Sequence, residues 1–359
     1  MEEQRAKLSQ PSASLAMNLV IAGPCSAESE AQVMQTATEL AAFGITKFRA
    51  GVWKPRTRPG CFEGCGEAAL PWLQRVQSEL GMKVIIEVAT PEHVGLALKY
   101  GITSFWIGAR TTANPFAVQA IADEIRQRLP FPDAKEDSLL MVKNPMNPDI
   151  DLWVGAIERL RESGIKHIVA VHRGFSTYEK TQYRNQPMWQ LPMDFRRRMP
   201  DVPLYCDPSH IGGRRELVHQ LSQQALDLGF DGLMIESHCR PECALSDAEQ
   251  QLTPLELHEM LGKLIVRDRH SSNEGLDILR KQIDSLDSQL IDIIARRMGI
   301  SREIGLYKKE HNMTVFQSNR YKQVLERLVA DANERGIDAS CIKTIFEAIH
   351  EESVRQQMF

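Results

Sequence analysis

Residues 203–210 read PLYCDPSH, and residues 231–247 read DGLMIESHCRPECALSD. Each begins as a short apolar run and ends abruptly in residues that can bind a metal. The first run ends at Cys206-Asp207-Pro208-Ser209-His210. The second ends at Glu236-Ser237-His238, with Asp247 further along the same stretch. Between them lies a helix-compatible segment, ELVHQLSQQALDLG. Apolar runs of this length, bounded by turn residues and separated by a helix, predict buried parallel strands. In a barrel of such strands, chemistry collects where the strands end. His210, Glu236 and Asp247 are therefore candidates for one site.

Working outward, the same alternation fills most of the chain. Strand-like runs fall at 19–22, 47–50, 84–88, 105–108, 139–142, 168–171, 204–206 and 233–235. Seven helix-compatible segments separate them, and an eighth, PLELHEMLGKLIV, follows the last. Gly44, Gly81, Gly101, Gly164 and Gly229 close helices before the next strand, the usual place for a left-handed glycine. Eight βα units in about 250 residues predict a (β/α)8 TIM barrel. A doubly wound open sheet is the alternative, but it gives no reason for polar residues after all eight strands. Residues 1–16 are polar without a period and predict a short arm.

The chain has 359 residues, room for one large domain and a smaller one. Its 43% apolar and 25% charged content is that of an ordinary globular protein. A net charge of −4 supplies no basic field for nucleic acid. No apolar run approaches the ~20 residues that span a bilayer, and no secretory leader opens the sequence. Seven scattered cysteines, an odd number, predict reduced thiols and a cytoplasmic protein. Two C-x3-C pairs, Cys61/Cys65 and Cys239/Cys243, raise a zinc site, but the second flanks Pro241 in a loop needed elsewhere.

Past residue 262 the character changes. KLIVRDRHSSNEG is charged, then small and polar, and reads as a linker. The expected divisions are a barrel domain at 1–266, a linker at 267–275 and an all-α domain at 276–359. Leu276, Leu279, Ile283, Leu286, Leu290 and Ile293 step by three and four, so they form one seam of a long helix. Ile300 and Ile304 continue it. Helices at 318–332 and 339–357 follow. A three-helix unit this short, with one very long helix, cannot wrap a full core by itself, so a homodimer with interlocked helices is expected.

The strand ends carry two classes of residue. Arg49, Lys54, Arg110, Lys143 and Arg173, with Arg56 close by, are cations around one mouth. They call for an anion, and phosphate and carboxylate oxygens suit them. Cys25, His210, Glu236 and Asp247 offer one sulfur, one nitrogen and two carboxylates. That mixture fits a divalent ion of the Mn, Fe, Co or Zn class, able to polarise a carbonyl. Taken singly, each residue has a plainer reading: a solvated loop cation, a small core thiol, or Glu236 paired with Arg240. Repetition at strand after strand argues otherwise.

In the tail, the seam is interrupted at Arg297 before Ile300. A cation there needs a partner or an anion, and the plainer reading is a snorkelling side chain. Lys308 shares that face roughly 16 Å away, while Arg280 points about 100° off it and could serve a second chain. Ser353 and Gln357 share a face of the last helix. Together these make a pocket for a small dianion.

GPCS at 23–26, FRAGVWKPRT at 48–57, GAR at 108–110, DPSH at 207–210 and the GLMIESH…LSD ending resemble the type Iβ 3-deoxy-D-arabino-heptulosonate-7-phosphate (DAHP) synthases. The resemblance covers roughly residues 18–265. It implies condensation of phosphoenolpyruvate with erythrose 4-phosphate at a divalent metal, the shikimate-pathway entry to aromatic amino acids. It implies Cys25, His210, Glu236 and Asp247 as metal ligands. Arg49, Lys54, Ala109, Arg110, Lys143 and Arg173 would bind phosphoenolpyruvate, with Arg56 and Thr57 meeting erythrose 4-phosphate. In that chemistry the metal activates the aldehyde, the enol carbon attacks it, water adds at C2 and phosphate leaves; Cys25, Lys54 and His210 are the expected catalytic groups. Two departures stand out: Asn144-Pro145 after Lys143, where Arg-Gly is expected, and His172 before Arg173, where Glu is expected. The sister family, the 3-deoxy-octulosonate 8-phosphate synthases, usually shows a K-A-N-R-type loop where this chain has Lys54-Pro55-Arg56-Thr57.

LRKQIDSLDSQLIDIIARR at 279–297 and ESVRQQ at 352–357 resemble the all-α (AroQ-type) chorismate mutases. That implies rearrangement of chorismate to prephenate without a cofactor, by holding the reactive chair and stabilising the ether oxygen. Arg280 (across a dimer), Arg297, Lys308, Ser353 and Gln357 would bind substrate, with Arg297, Lys308 and Gln357 catalytic. The family's acidic pair falls on Gln317 and Tyr321 here. The alternative is a tail that senses ligand and dimerises without turnover. In either case, feedback inhibition of the synthase by prephenate through the tail is expected.

Overall fold

The computed structural model describes residues 17–54, 60–129, 132–178, 181–267, 274–315 and 318–358. Two compact units divide the chain, Met1–Arg269 and His270–Phe359. The first is the expected barrel. Its strands are β1 (Val20–Gly23), β2 (Lys47–Ala50), β3 (Lys83–Val88), β4 (Ser104–Ile107), β5 (Leu139–Lys143), β6 (His167–His172), β7 (Leu204–Cys206) and β8 (Gly232–Glu236). All pair in parallel in sequence order, and β8 closes on β1 with Gly23 opposite Glu236. The helices that follow them are α1 (Glu30–Ala42), α2 (Leu70–Leu80), α3 (Pro91–Lys99), α4 (Pro115–Arg128), α5 (Ile150–Arg161), α6 (Gln190–Arg198), α7 (Val218–Asp227) and α8 (Pro254–Gly262).

Local chemistry sets these boundaries. Ser29 caps α1 by accepting from the Gln32 N–H, and Thr253 with Glu256 forms a reciprocal capping box on α8. The five expected closing glycines all have left-handed φ, between 64° and 85°. Strands β5, β6 and β8 each run one residue beyond the apolar pattern, into Lys143, His172 and Glu236. The hydrogen-bonded ladder continues after the apolar side chains stop.

Two layers of core follow from the period of two along each strand. Outward residues such as Val20, Phe48, Ile86 and Phe105 pack under the helices. Inward residues Ile21, Ile85, Trp106, Met141, Val171, Tyr205 and Met234 fill the barrel. One further inward step from Met141, Val171, Tyr205 and Met234 reaches Lys143, Arg173, Asp207 and Glu236. The barrel is apolar inside and ionic at its C-terminal rim. Gly23 allows the rim to close: a Cβ there would stand 2.1 Å from the Arg49 carbonyl oxygen.

The second unit has three helices, α9 (Glu274–Glu310), α10 (Ser318–Glu334) and α11 (Ala339–Gln357). Asp338 caps α11, accepting from the Ser340 and Cys341 N–H groups. α11 packs against both others, and α9 approaches it so closely at Gly305 that a Cβ would stand 2.7 Å from Gln357 backbone atoms. Only part of the apolar seam is covered within the chain. Ile283, Leu286 and Leu290 are 57%, 61% and 53% exposed.

Candidate active sites

At the rim of the barrel, Cys25, Glu236 and Asp247 bring one sulfur and two carboxylates within 4.8 Å of one another. Cys25 follows β1, Glu236 ends β8, and Asp247 adopts a left-handed φ of 49° as it opens the turn Ala248–Gln250. The Cys25 thiol donates to Asp247 Oδ2 at 3.2 Å. His210 lies on the short helix Pro208–Gly212, capped by Asp207. Its Nδ1 is 2.8 Å from Asp207 Oδ2 and its Nε2 is 3.6 Å from Glu236 Oε1. A carboxylate behind one imidazole nitrogen leaves the other free to act as a ligand, the usual outer arrangement of a metal-binding histidine. The donor set fits a borderline divalent ion.

The charges here are tightly coupled. Burial, with Glu236 adding to it, pushes the Cys25 thiol up to about 12. Burial also opposes ionisation of Glu236, but His210 and Arg49 overcome it and hold the carboxyl below its usual range. For Asp247, Arg184 and His210 likewise outweigh burial. Burial lowers His210, against the pull of Asp207.

The five predicted cations divide by depth. Arg49 is 1% exposed; it donates to Glu236 Oε1 at 3.0 Å and lies 3.9 Å from Asp207 Oδ2. Lys143 Nζ donates to Asp207 Oδ2 at 2.8 Å. Both stand over the Trp106 ring, at 4.8 Å and 5.8 Å. These two cations therefore already meet carboxylates inside the barrel. Lys54, Ala109, Arg110, Lys143 and Arg173 line a cavity of about 470 Å³ that His210 and Asp247 also face. Lys54 Nζ donates to both the sulfur and the carbonyl of Cys25, each at 2.8 Å. Arg173 donates to Asn185 Oδ1 at 2.7 Å, and burial pulls its guanidinium down to about 10. Arg56 and Thr57 lie outside the described residues.

Five contributors had no assigned role at the outset: Asp207, Arg184, Asn185, Gln250 and Trp106. Asp207 was legible, because it stands one inward step beyond Tyr205. Arg184 and Asn185 lie in a loop with no period to mark them.

In the second unit, α9 and α11 bring four predicted residues together. Arg297 NH1 donates to the Ser353 hydroxyl and, at 3.4 Å, to the Ile349 carbonyl. Lys308 Nζ donates to Gln357 Oε1 at 3.0 Å. Tyr321 stacks on His350 with ring centroids 4.1 Å apart, and burial with Arg297 nearby lowers the His350 imidazole. Arg280 stands apart, 3.5 Å from Asp277 and largely exposed. Gln317 lies outside the described residues.

A closed parallel barrel whose rim gathers a thiol, carboxylates and a set of cations has the architecture of a TIM-barrel enzyme, with Cys25, Glu236 and Asp247 grouped as a candidate metal site at its mouth. The chain belongs to the DAHP synthetase I family, whose sequence signature matches residues 16–270. Residues 279–358 match chorismate mutase type II. The phospho-2-dehydro-3-deoxyheptonate aldolase of Thermotoga maritima is 34% identical over 233 residues, 65% of this chain and 64% of that protein. The crystal structure of phospho-2-dehydro-3-deoxyheptonate aldolase (DAHP synthase) from Thermotoga maritima superposes with a TM-score of 0.59 at 30% identity, covering 68% of this chain and 67% of that one. The 4-amino-4-deoxychorismate mutase of Streptomyces pristinaespiralis is 32% identical over 85 residues, 24% of this chain and 66% of that protein. The chain thus spans slightly under two thirds of these curated relatives. No described helix is long and apolar enough to cross a membrane.

Proposed function

We propose that the barrel, residues 1–266, joins phosphoenolpyruvate to erythrose 4-phosphate, giving DAHP and inorganic phosphate. The linker, residues 267–275, runs into the start of α9 at Glu274, and the helical unit, 276–359, rearranges chorismate to prephenate. The observation that carries the first reading is the cavity lined by cations of the rim together with His210 and Asp247, the latter a member of the Cys25–Glu236–Asp247 cluster. Phosphoenolpyruvate brings a phosphate and a carboxylate, and Lys143, Arg110 and Arg173 are the groups to hold them. Cys25, His210, Glu236 and Asp247 would hold a divalent ion, which supplies Lewis acidity for the aldehyde when bound. The enol carbon forms the new bond to the aldehyde carbon, whose oxygen takes up a proton. Lys54 Nζ, next to the cluster, is placed to deliver it. Water adds at C2 and the phosphate leaves with the bridging oxygen.

Arg110→Ala tests the anion site. Losing a charged hydrogen-bonding partner costs about 1.5–3 kcal/mol, roughly ten- to a hundredfold. The expected result is a fall of that size in kcat/KM for phosphoenolpyruvate. Unchanged kinetics would remove Arg110 from the site. Assaying the wild-type protein with a five-carbon aldose phosphate as well distinguishes the octulosonate reaction, since three and five carbons give eight.

The tail is further proposed to dimerise and to regulate the barrel. The exposed seam of α9 asks for a second copy, and a bound dianion at Arg297 and Lys308 favours whichever arrangement binds it better. Coupling of about 1–3 kcal/mol is typical. The test uses the whole protein and a chain ending near Val266. Sedimentation should place the whole chain at twice its 40.6 kDa. Prephenate should inhibit synthase activity in the whole chain alone. Equal inhibition of both chains, or none in the whole protein, defeats regulation through the tail.

A further inference from the structure

We propose that Gln250 and Arg184 are positioning residues that aim the two carboxylates of the candidate metal centre; this rests on the metal reading above. Gln250 is 1% exposed and ends the turn that Asp247 opens. Its Nε2 donates to Glu236 Oε2 at 2.6 Å. Its Oε1 accepts from Arg184 NH1 at 2.7 Å. The same NH1 lies 3.1 Å from Asp247 Oδ1.

Each carboxylate therefore commits one oxygen to this clamp and turns the other toward the cluster. Glu236 Oε1 is the oxygen nearest His210 Nε2, at 3.6 Å. Asp247 Oδ2 is the oxygen that accepts from the Cys25 thiol. Without the clamp Glu236 keeps only the Arg49 bond to Oε1 and Asp247 only the Cys25 thiol on Oδ2. Each carboxylate is then held at one oxygen and gains freedom about its terminal bond, a broad and nearly two-fold torsion.

The backbone ties the clamp to the ligands it serves. Gln250 N donates to the Asp247 carbonyl at 3.3 Å, so one turn carries both a ligand and the amide that fixes another. Arg184 N donates to the Gly212 carbonyl at 3.3 Å, and Asn185 Nδ2 to the His210 carbonyl at 2.7 Å. The Arg184 segment is thus fastened to the helix bearing His210. Glutamine suits position 250 because it donates to one carboxylate while accepting from the guanidinium. A carboxylate there would face Glu236 with like charge. An apolar side chain would leave a buried oxygen unpaired.

Loss of an outer partner of a metal ligand typically lowers metal affinity about 10–100-fold. The experiment titrates the metal-free whole protein with Co2+, follows the thiolate-to-cobalt absorption band, and sets affinity by chelator competition. Gln250→Met and Arg184→Met should each weaken Co2+ binding within that range. The double variant should fall short of the sum, because the two side chains act in one chain of contacts. If both single variants bind as wild type does while Cys25→Ala has lost binding, the proposal is overturned and the metal reading stands. If Cys25→Ala binds unchanged, the metal reading falls and takes the proposal with it. Should Gln250→Met fail to fold, Arg184→Met carries the test, since that side chain is 44% exposed.

Discussion

Cys25→Ala is expected to abolish DAHP synthesis while leaving the barrel folded and chorismate turnover intact. The thiol is fully buried at the end of β1, in contact with Asp247 and Lys54 at once. Among the described residues it is the sulfur of the only cluster with a metal-type donor set. Alanine removes the sulfur but keeps the backbone contacts that fix the rim. The Cys25 N–H still donates to Gln251 Oε1, and its carbonyl still accepts from Lys54 and Gly51. The stability change should therefore be ordinary, about 1 kcal/mol, visible as a small shift in a thermal melt. The assay follows phosphoenolpyruvate consumption with erythrose 4-phosphate, before and after chelation. Full synthase activity in the variant, or in wild-type protein after exhaustive chelation, would remove the metal from the reaction.

Much of the barrel could be read from its periods. Short apolar runs separated by helical segments and closing glycines specify a parallel barrel because few other topologies bury eight such strands. The rim was legible for a related reason. Lys143, Arg173 and Glu236 continue the inward step of strands whose lower residues are plainly core. What the residues alone did not show is how the charges pair. As a sequence pattern Arg49 and Lys143 call for an anion, and within the barrel Glu236 and Asp207 already meet them. Pairing depends on which strands stand opposite one another across the barrel, and no local pattern encodes that. Arg184 and Gln250 were hidden for the same reason, reaching the site from segments whose sequence has neither period nor motif.

The two departures from the synthase pattern turn out to differ in kind. His172 lies on the opposite face of β6 from Arg173, among the rings of Phe175, Trp189 and Phe230. Burial pushes its imidazole down to about 3, so it adds no charge to the rim at neutral pH. Asn144 bears on the site directly: it accepts from the Arg173 N–H at 2.7 Å and donates to the Gly174 carbonyl at 2.9 Å. That pair of bonds holds the backbone from which Arg173 reaches the cavity.

Lys308→Ala should lower chorismate turnover about 10²–10³-fold, with synthase activity retained. The rearrangement needs no covalent help from the protein, so its rate depends on holding a reactive geometry and meeting charge as it develops. Lys308 Nζ and Gln357 are held 3.0 Å apart where α9 and α11 converge, and the close approach at Gly305 sets that spacing. Deleting one preorganised donor of this kind costs about 2.7–4 kcal/mol in other enzymes. Arg297, tied to Ser353, is left in place to bind the dianion. The loss should therefore appear in kcat more than in KM. The measurement is chorismate consumption by the whole protein, wild type against variant. If wild type turns over and Lys308→Ala matches it, the pocket lies elsewhere. If wild type binds chorismate without converting it, the tail is a sensor, and Tyr321 and Gln317, where the mutase pattern has acids, become the first positions to restore.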